Sequence, residues 1–132
     1  MTYRIVAKGL PGYEDYHTIQ VTYNFPETGG VQSDCHPSPG QPYFVIGFPK
    51  MAFLPDTEKG RRALRLLEAA FNARLTFVID PGSNQLAWNE NELPHKTEFT
   101  GGSKNSGYPD PAYLDTIIEK LQRLGISDEA AV

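Results

Sequence analysis

Apolar and polar residues alternate without a break from His17 to Phe25. Ile19, Val21, Tyr23 and Phe25 fall on one side; Thr18, Gln20, Thr22 and Asn24 fall on the other. A period of two predicts a strand with one buried face. Residues 3–7 (YRIVA) read as a short strand, residues 43–48 (YFVIGF) as a buried one, and residues 75–80 (LTFVID) as another. After 75–80, "PGSN" turns the chain and "QLAW" (85–88) pairs back as a hairpin. The period changes to that of a helix over 54–74, where Leu64, Leu67 and Phe71 recur with Ala63, Leu66 and Ala70 widening the stripe. Asp56 or Thr57 caps that helix, and Glu58 suits its first turn. A second helix spans 111–124, with Leu114, Ile117, Ile118, Leu121 and Leu124 along one side. Asp110 and Pro111 suit its start, and Gly125 its left-handed end.

Between these elements lie a turn cluster at 10–15 (LPGYED), a loop at 26–42 rich in Pro and Gly, and a polar loop at 89–107. A loop as long as the last is more often functional than accidental in a compact domain. Two helices beside several short mixed or antiparallel strands predict one α+β domain over residues 1–132. Its core spans about residues 3–125, and its tail (126–132) is frayed.

A chain of 132 residues suffices for one core. A formal net charge of −4 argues against a nucleic-acid partner, because phosphates would go unneutralised. No apolar run approaches a membrane span, and no secretory leader is visible. The single cysteine, Cys35, rules out an internal disulfide, so an intracellular home is expected, cytoplasmic or nuclear. His17, His36 and His95 are scattered and predict no metal site. Neither common phosphate loop, nor a nucleophile elbow, nor a zinc-protease motif is present. Cys35 beside His36 reads as a loop residue rather than a reactive thiol.

By residue chemistry the region from Ser83 to Tyr108 stands out. Trp88 reads more readily as core than as a ligand contact, and His95 as a residue of loop packing. Tyr108 is open to either reading. Together these residues could line an aromatic, amide- and hydroxyl-bearing cleft for a nucleotide-like ligand.

"LPGYED", "HTIQVTY", "HPSPGQPY", "GFP", "LPDTEKGRRALRLL", "RLTF", "WN", "HKTE" and "GYPDPAYL" follow one another in the order of a known domain. From Leu10 to about Gly125 the chain resembles the Deltex C-terminal domain, which closes the Deltex family of RING-type E3 ubiquitin ligases. The resemblance implies a single α+β unit with a groove for ADP-ribose and NAD. It also implies that the domain presents an ADP-ribosylated target, or ADP-ribose itself, to a ubiquitin-loaded E2 held by a RING. Position by position, Arg74 and Phe77 match the family's "RL-x-F", and Ser83 its hairpin serine. Trp88 and Asn89 match "WN"; His95, Lys96 and Thr97 match the end of "HHKT". Tyr108 and Pro109 match "GYPDP" and are expected to form one groove wall.

The departures matter as much. Pro94 replaces the first His of "HHKT", the segment after Trp88 is two residues longer, and the hairpin loop "DPGSNQ" is short. No Cys/His pattern for a RING is visible, so the chain is expected to be free-standing or an excised piece. The family pair thought to activate the ribose hydroxyl, a His and a Glu, falls on Ser106 and Lys120. Neither is a useful base near neutral pH, and Glu119, about 100° around the helix from Lys120, should face away.

The resemblance therefore implies a reader of ADP-ribose or NAD that needs no cofactor and has no catalytic residues of its own. The alternative is a substrate-recognition component of a ubiquitin ligase, working with a RING and E2 in trans. Two further readings are an enzyme acting on NAD and a scaffold whose groove has decayed.

Overall fold

The computed structural model describes residues 1–127. The elements run β1 (Thr2–Val6), β2 (Thr18–Tyr23), β3 (Gly29–Val31), β4 (Pro42–Phe44), β5 (Lys50–Pro55), α1 (Glu58–Asn72), β6 (Phe77–Ile79), β7 (Leu86–Trp88), a 3-10 turn (Ser103–Asn105) and α2 (Tyr113–Arg123). β1, β2 and β5 form an antiparallel sheet with β2 in the centre; β3–β4 and β6–β7 are two-stranded. The α+β expectation is met.

The alternation in β2 does what its period predicts. Ile19, Val21 and Tyr23 are buried against Leu54 of β5 and the apolar stripes of both helices, including Leu66, Leu67, Ile117 and Leu121. Thr57 caps α1, its hydroxyl accepting from the Gly60 N–H at 3.0 Å, while Asp56 pairs with Arg61. Gly60 has no substitute: a Cβ there would lie 1.9 Å from the Pro55 carbonyl oxygen.

Four expectations are corrected. The strand expected at 43–48 is only β4, ending at an exposed Phe44; the sheet strand is β5, unpredicted because its prolines and Leu54 read as a helix lead-in. The loop 26–42 contains β3 and is held by Gln32, which is 3% exposed. Its amide reaches Asn84 and Ser38 at 3.0 and 2.9 Å. Asp110 makes no side-chain cap on α2, because its carboxylate is drawn to Lys96 instead. Ile126, expected to fray, is 7% exposed and donates its N–H to the Leu121 carbonyl, closing a Schellman motif at Gly125. Residues 128–132 of the expected tail lie outside the described residues.

The long polar segment 89–107 is fastened to the core by polar groups. The Phe53 N–H donates to the Lys96 carbonyl at 2.8 Å, so the segment lies along the outer edge of β5. The Tyr108 hydroxyl donates to the Phe53 carbonyl, and the Tyr113 hydroxyl to the Pro94 carbonyl, both at 2.8 Å. The Lys96 ammonium, 6% exposed, pairs with Asp110 at 2.8 Å and faces the rings of Tyr113 and Tyr108 at 5.1 and 5.8 Å.

His95 is sealed in the same segment. Its Nδ1 lies 2.8 Å from the Leu93 carbonyl, which can only accept, so Nδ1 carries the proton. Nε2 then accepts from the Tyr23 hydroxyl at 2.9 Å. Burial depresses the His95 pKa to about 4, the Leu93 hydrogen bond opposing it only in part. Burial also raises the Tyr23 phenol.

Two stability predictions follow from these contacts. Unfolded His95 takes up a proton near pH 6.5, whereas the folded chain resists it until about pH 4. The contribution is thus complete above pH 6.5 and fades as pH falls toward 4, by about 3 kcal/mol in all. Urea titrations between pH 7.5 and 4.5 should show this loss, and a His95→Gln variant should show a shallower dependence; equal slopes would remove His95 as the cause. Asp110→Ala should cost about 3 kcal/mol, because it leaves a buried ammonium unpaired, and more than Lys96→Met, which removes the charge altogether. Denaturation midpoints compare the two directly.

Candidate functional site

Two cavities flank the segment from Arg74 to Tyr113, and they separate residues that the sequence suggested were together. The smaller, about 200 Å³, is lined by Glu90, Pro94, His95, Lys96, Ser106 and Thr116 among others. Its walls come from the "WNE" turn, the "HKT" segment, the loop before "GYPDP" and the first turn of α2. The larger, about 970 Å³, lies between α1's end, β6 and the loops after β2 and β3; of the residues matched to the family, Arg74 and Phe77 line it.

The small cavity is built on a tightly closed loop. The Glu98 N–H donates to the Ser106 carbonyl and the Tyr108 N–H to the Phe99 carbonyl, at 3.0 and 3.2 Å. Ser106 adopts a left-handed backbone (φ 55°), which costs an L-residue. Gly107 is required there, since a Cβ would meet the Thr100 carbonyl oxygen at 1.9 Å. The lining combines carboxylates of Glu90 and Asp110, hydroxyls of Ser103, Ser106 and Thr116, and the paired Lys96 ammonium. Burial raises the Glu90 pKa, and the charge of Lys96 offsets part of that. Such a lining can accept and donate hydrogen bonds to hydroxyl-rich groups.

Several expected contacts are used inside the fold. Tyr108 is fully buried and meets Tyr13 and Tyr113 edge-on at 6.1 and 6.2 Å, so it offers no open ring face and lines neither cavity. Its burial also raises its phenol pKa, with the neighbouring tyrosines and Asp110 adding to the effect. Trp88, half-buried, lies against Phe77 at 4.8 Å and His95 at 4.5 Å. The Asn89 amide donates to the Leu75 carbonyl at 2.9 Å and serves the turn. Both ring nitrogens of His95 are engaged internally.

Ser83 lies on the hairpin tip, away from both cavities, where its hydroxyl donates to Asp80 at 2.8 Å. Pro109 is exposed behind a cis peptide bond and lines neither cavity. Lys120 donates to the Asn91 carbonyl at 3.3 Å, outside the cavity lining; Glu119 faces solvent against Arg123, as its helix position predicts. Sequence reasoning missed Glu90, Asp110 and Thr116. Only "WNE" hinted at the first, and the third depends on how α2 docks.

With this geometry in view, the relatives are informative. A family model described as the Deltex C-terminal domain matches residues 1–126. The chain is 41% identical over its full length to E3 ubiquitin-protein ligase DTX1 of Xenopus laevis, and 40% identical over 99% of its length to human DTX1. It is 43% identical over 91% of its length to human probable E3 ubiquitin-protein ligase DTX3. It spans 21% of each of the first two relatives and 34% of the third. At that identity and coverage, the chain belongs to the Deltex C-terminal domain family.

Proposed function

We propose that this domain is a recognition module for ADP-ribose, free or attached to protein, or for NAD. The carrying observation is the small cavity: carboxylates and hydroxyls on and beside the "WNE", "HKT" and "GYPDP" segments that also carry the matched residues Asn89, His95 and Tyr108, of which only His95 itself lines it. A ribose presents a cis-diol, whose two O–H groups suit carboxylate acceptors such as Glu90 and Asp110. At about 200 Å³ the cavity is smaller than the roughly 300–1,000 Å³ of pockets for whole ligands. It takes one sugar, and the remainder of the ligand lies over its rim. Lys96 is committed to Asp110, so phosphates gain little from it.

A second reading is favoured by the relatives, whose names make them ubiquitin ligases and of which this chain spans about a fifth. In that reading the domain is the target-recognition part of a ligase and works with a RING and an E2 in trans.

Calorimetric titration with ADP-ribose, NAD and AMP side by side tests the first reading. ADP-ribose and NAD should release heat. A Thr116→Trp variant, which fills the cavity from an exposed helix position, should weaken binding at least tenfold. Silence from all three ligands overturns the proposal. For the second reading, the test is a mixture of the domain with E1, E2, ubiquitin, ATP and an isolated Deltex-type RING. Ubiquitin attached to ADP-ribose favours it over the first reading, whereas a plain reader leaves ADP-ribose unmodified, the outcome expected where Ser106 and Lys120 supply no base. Ser106→His with Lys120→Glu should raise transfer. Efficient transfer by the unaltered chain would show that another group is the base.

A further inference from the structure

The larger cavity differs in kind from the first. Its lining includes Phe25, Phe71, Arg74 and all three residues of β6. β6 is paired on one side only, with β7. In an antiparallel pair, residues alternate between those that bond the partner strand and those whose N–H and C=O point away. The Thr76 carbonyl accepts from the Asn89 N–H at 2.9 Å, and the Asp80 N–H donates to the Gln85 carbonyl at 2.8 Å. That parity turns Thr76, Val78 and Asp80 toward β7. The main-chain groups of Phe77 and Ile79 point to the opposite edge, where no described residue bonds them.

Two side chains along this wall are also unpartnered. The Thr76 hydroxyl is buried without a hydrogen bond, on a residue 1% exposed. Arg74 is exposed and has no ion-pair partner among the described residues. Glu27 is the one carboxylate among the lining residues, and it lies on the segment after β2.

We propose that the unpaired edge of β6, with Arg74 and the walls of Phe25 and Phe71, is a docking site for an extended acidic peptide segment added as a strand. Main-chain donors and acceptors in register along an edge match another extended backbone. Alternate side chains of such a segment would face the phenyl walls, and an acidic residue would meet Arg74. The volume, about 970 Å³, accommodates several residues. This site is separate from the small cavity, and the inference stands whether or not ADP-ribose binds there.

Amide hydrogen exchange, read by NMR on the 132-residue chain, tests it. The probes are two pools of capped seven-residue peptides with alternating Val and Thr, one ending in Asp residues and one in Lys residues. The Asp pool at millimolar concentration should slow exchange of the Phe77 and Ile79 amides at least tenfold; the Lys pool should not. Arg74→Glu, a change at an exposed residue, should reverse that preference. N-methylating alternate peptide amides should abolish the effect for one edge of the peptide and spare the other. No slowing with either pool overturns the proposal, as does protection indifferent to N-methylation. Protection that appears without peptide and rises with protein concentration would assign the edge to a second copy of the chain and overturn it equally.

Discussion

Everything around the small cavity depends on one buried ammonium. Lys96 has left water almost entirely, and its charge is met by Asp110 and the faces of two tyrosines. Desolvating a lysine is expensive, so the pair is no simple source of stability. What it supplies is position: Asp110 opens the approach to α2, and Lys96 lies beside β5. One contact therefore fixes the helix, the sheet edge and the loop relative to one another. The cavity is the space left between them.

The same segment spends most of its polar groups on its own packing. His95 is neutral in a fixed tautomer, Tyr108 and Tyr113 donate to main-chain carbonyls, and Asn89 holds its turn. Residues that look like ligand contacts by type are thus the frame of the site. The groups facing the cavity are plainer ones: a carboxyl at Glu90 and hydroxyls at Ser106 and Thr116. Shape, set by the buried residues, and hydrogen bonding, set by the lining, are divided between different side chains.

Much of the fold is legible in the sequence where one face dominates. The alternation of β2, the stripes of both helices and the ends marked by Thr57 and Gly125 all read directly. β5 does not, because its pairing to β2 is a long-range choice and its flanking prolines resemble a helix entrance. The small cavity lies in the region the sequence singles out, but apart from His95 its lining falls on residues other than the ligand contacts expected. Helix periodicity cannot say that Asp110 will prefer a lysine fourteen residues earlier to the N–H groups next to it. Nor can residue type tell a tyrosine that lines a cleft from one that is fully enclosed, since both need an aromatic ring and a hydroxyl partner.

The outer edge of β5 has a consequence for assembly. At Phe53 a loop carbonyl and a tyrosine hydroxyl occupy the main-chain groups that a fourth strand would need. The other margin, β1, carries Tyr3 and Ile5 at 56% and 47% exposure, and no further strand pairs with it among the described residues. Growth of this sheet is blocked at Phe53 on one margin and open along the other. A neighbour that extends it would meet less obstruction along the N-terminal strand, beside the exposed Tyr3 and Ile5.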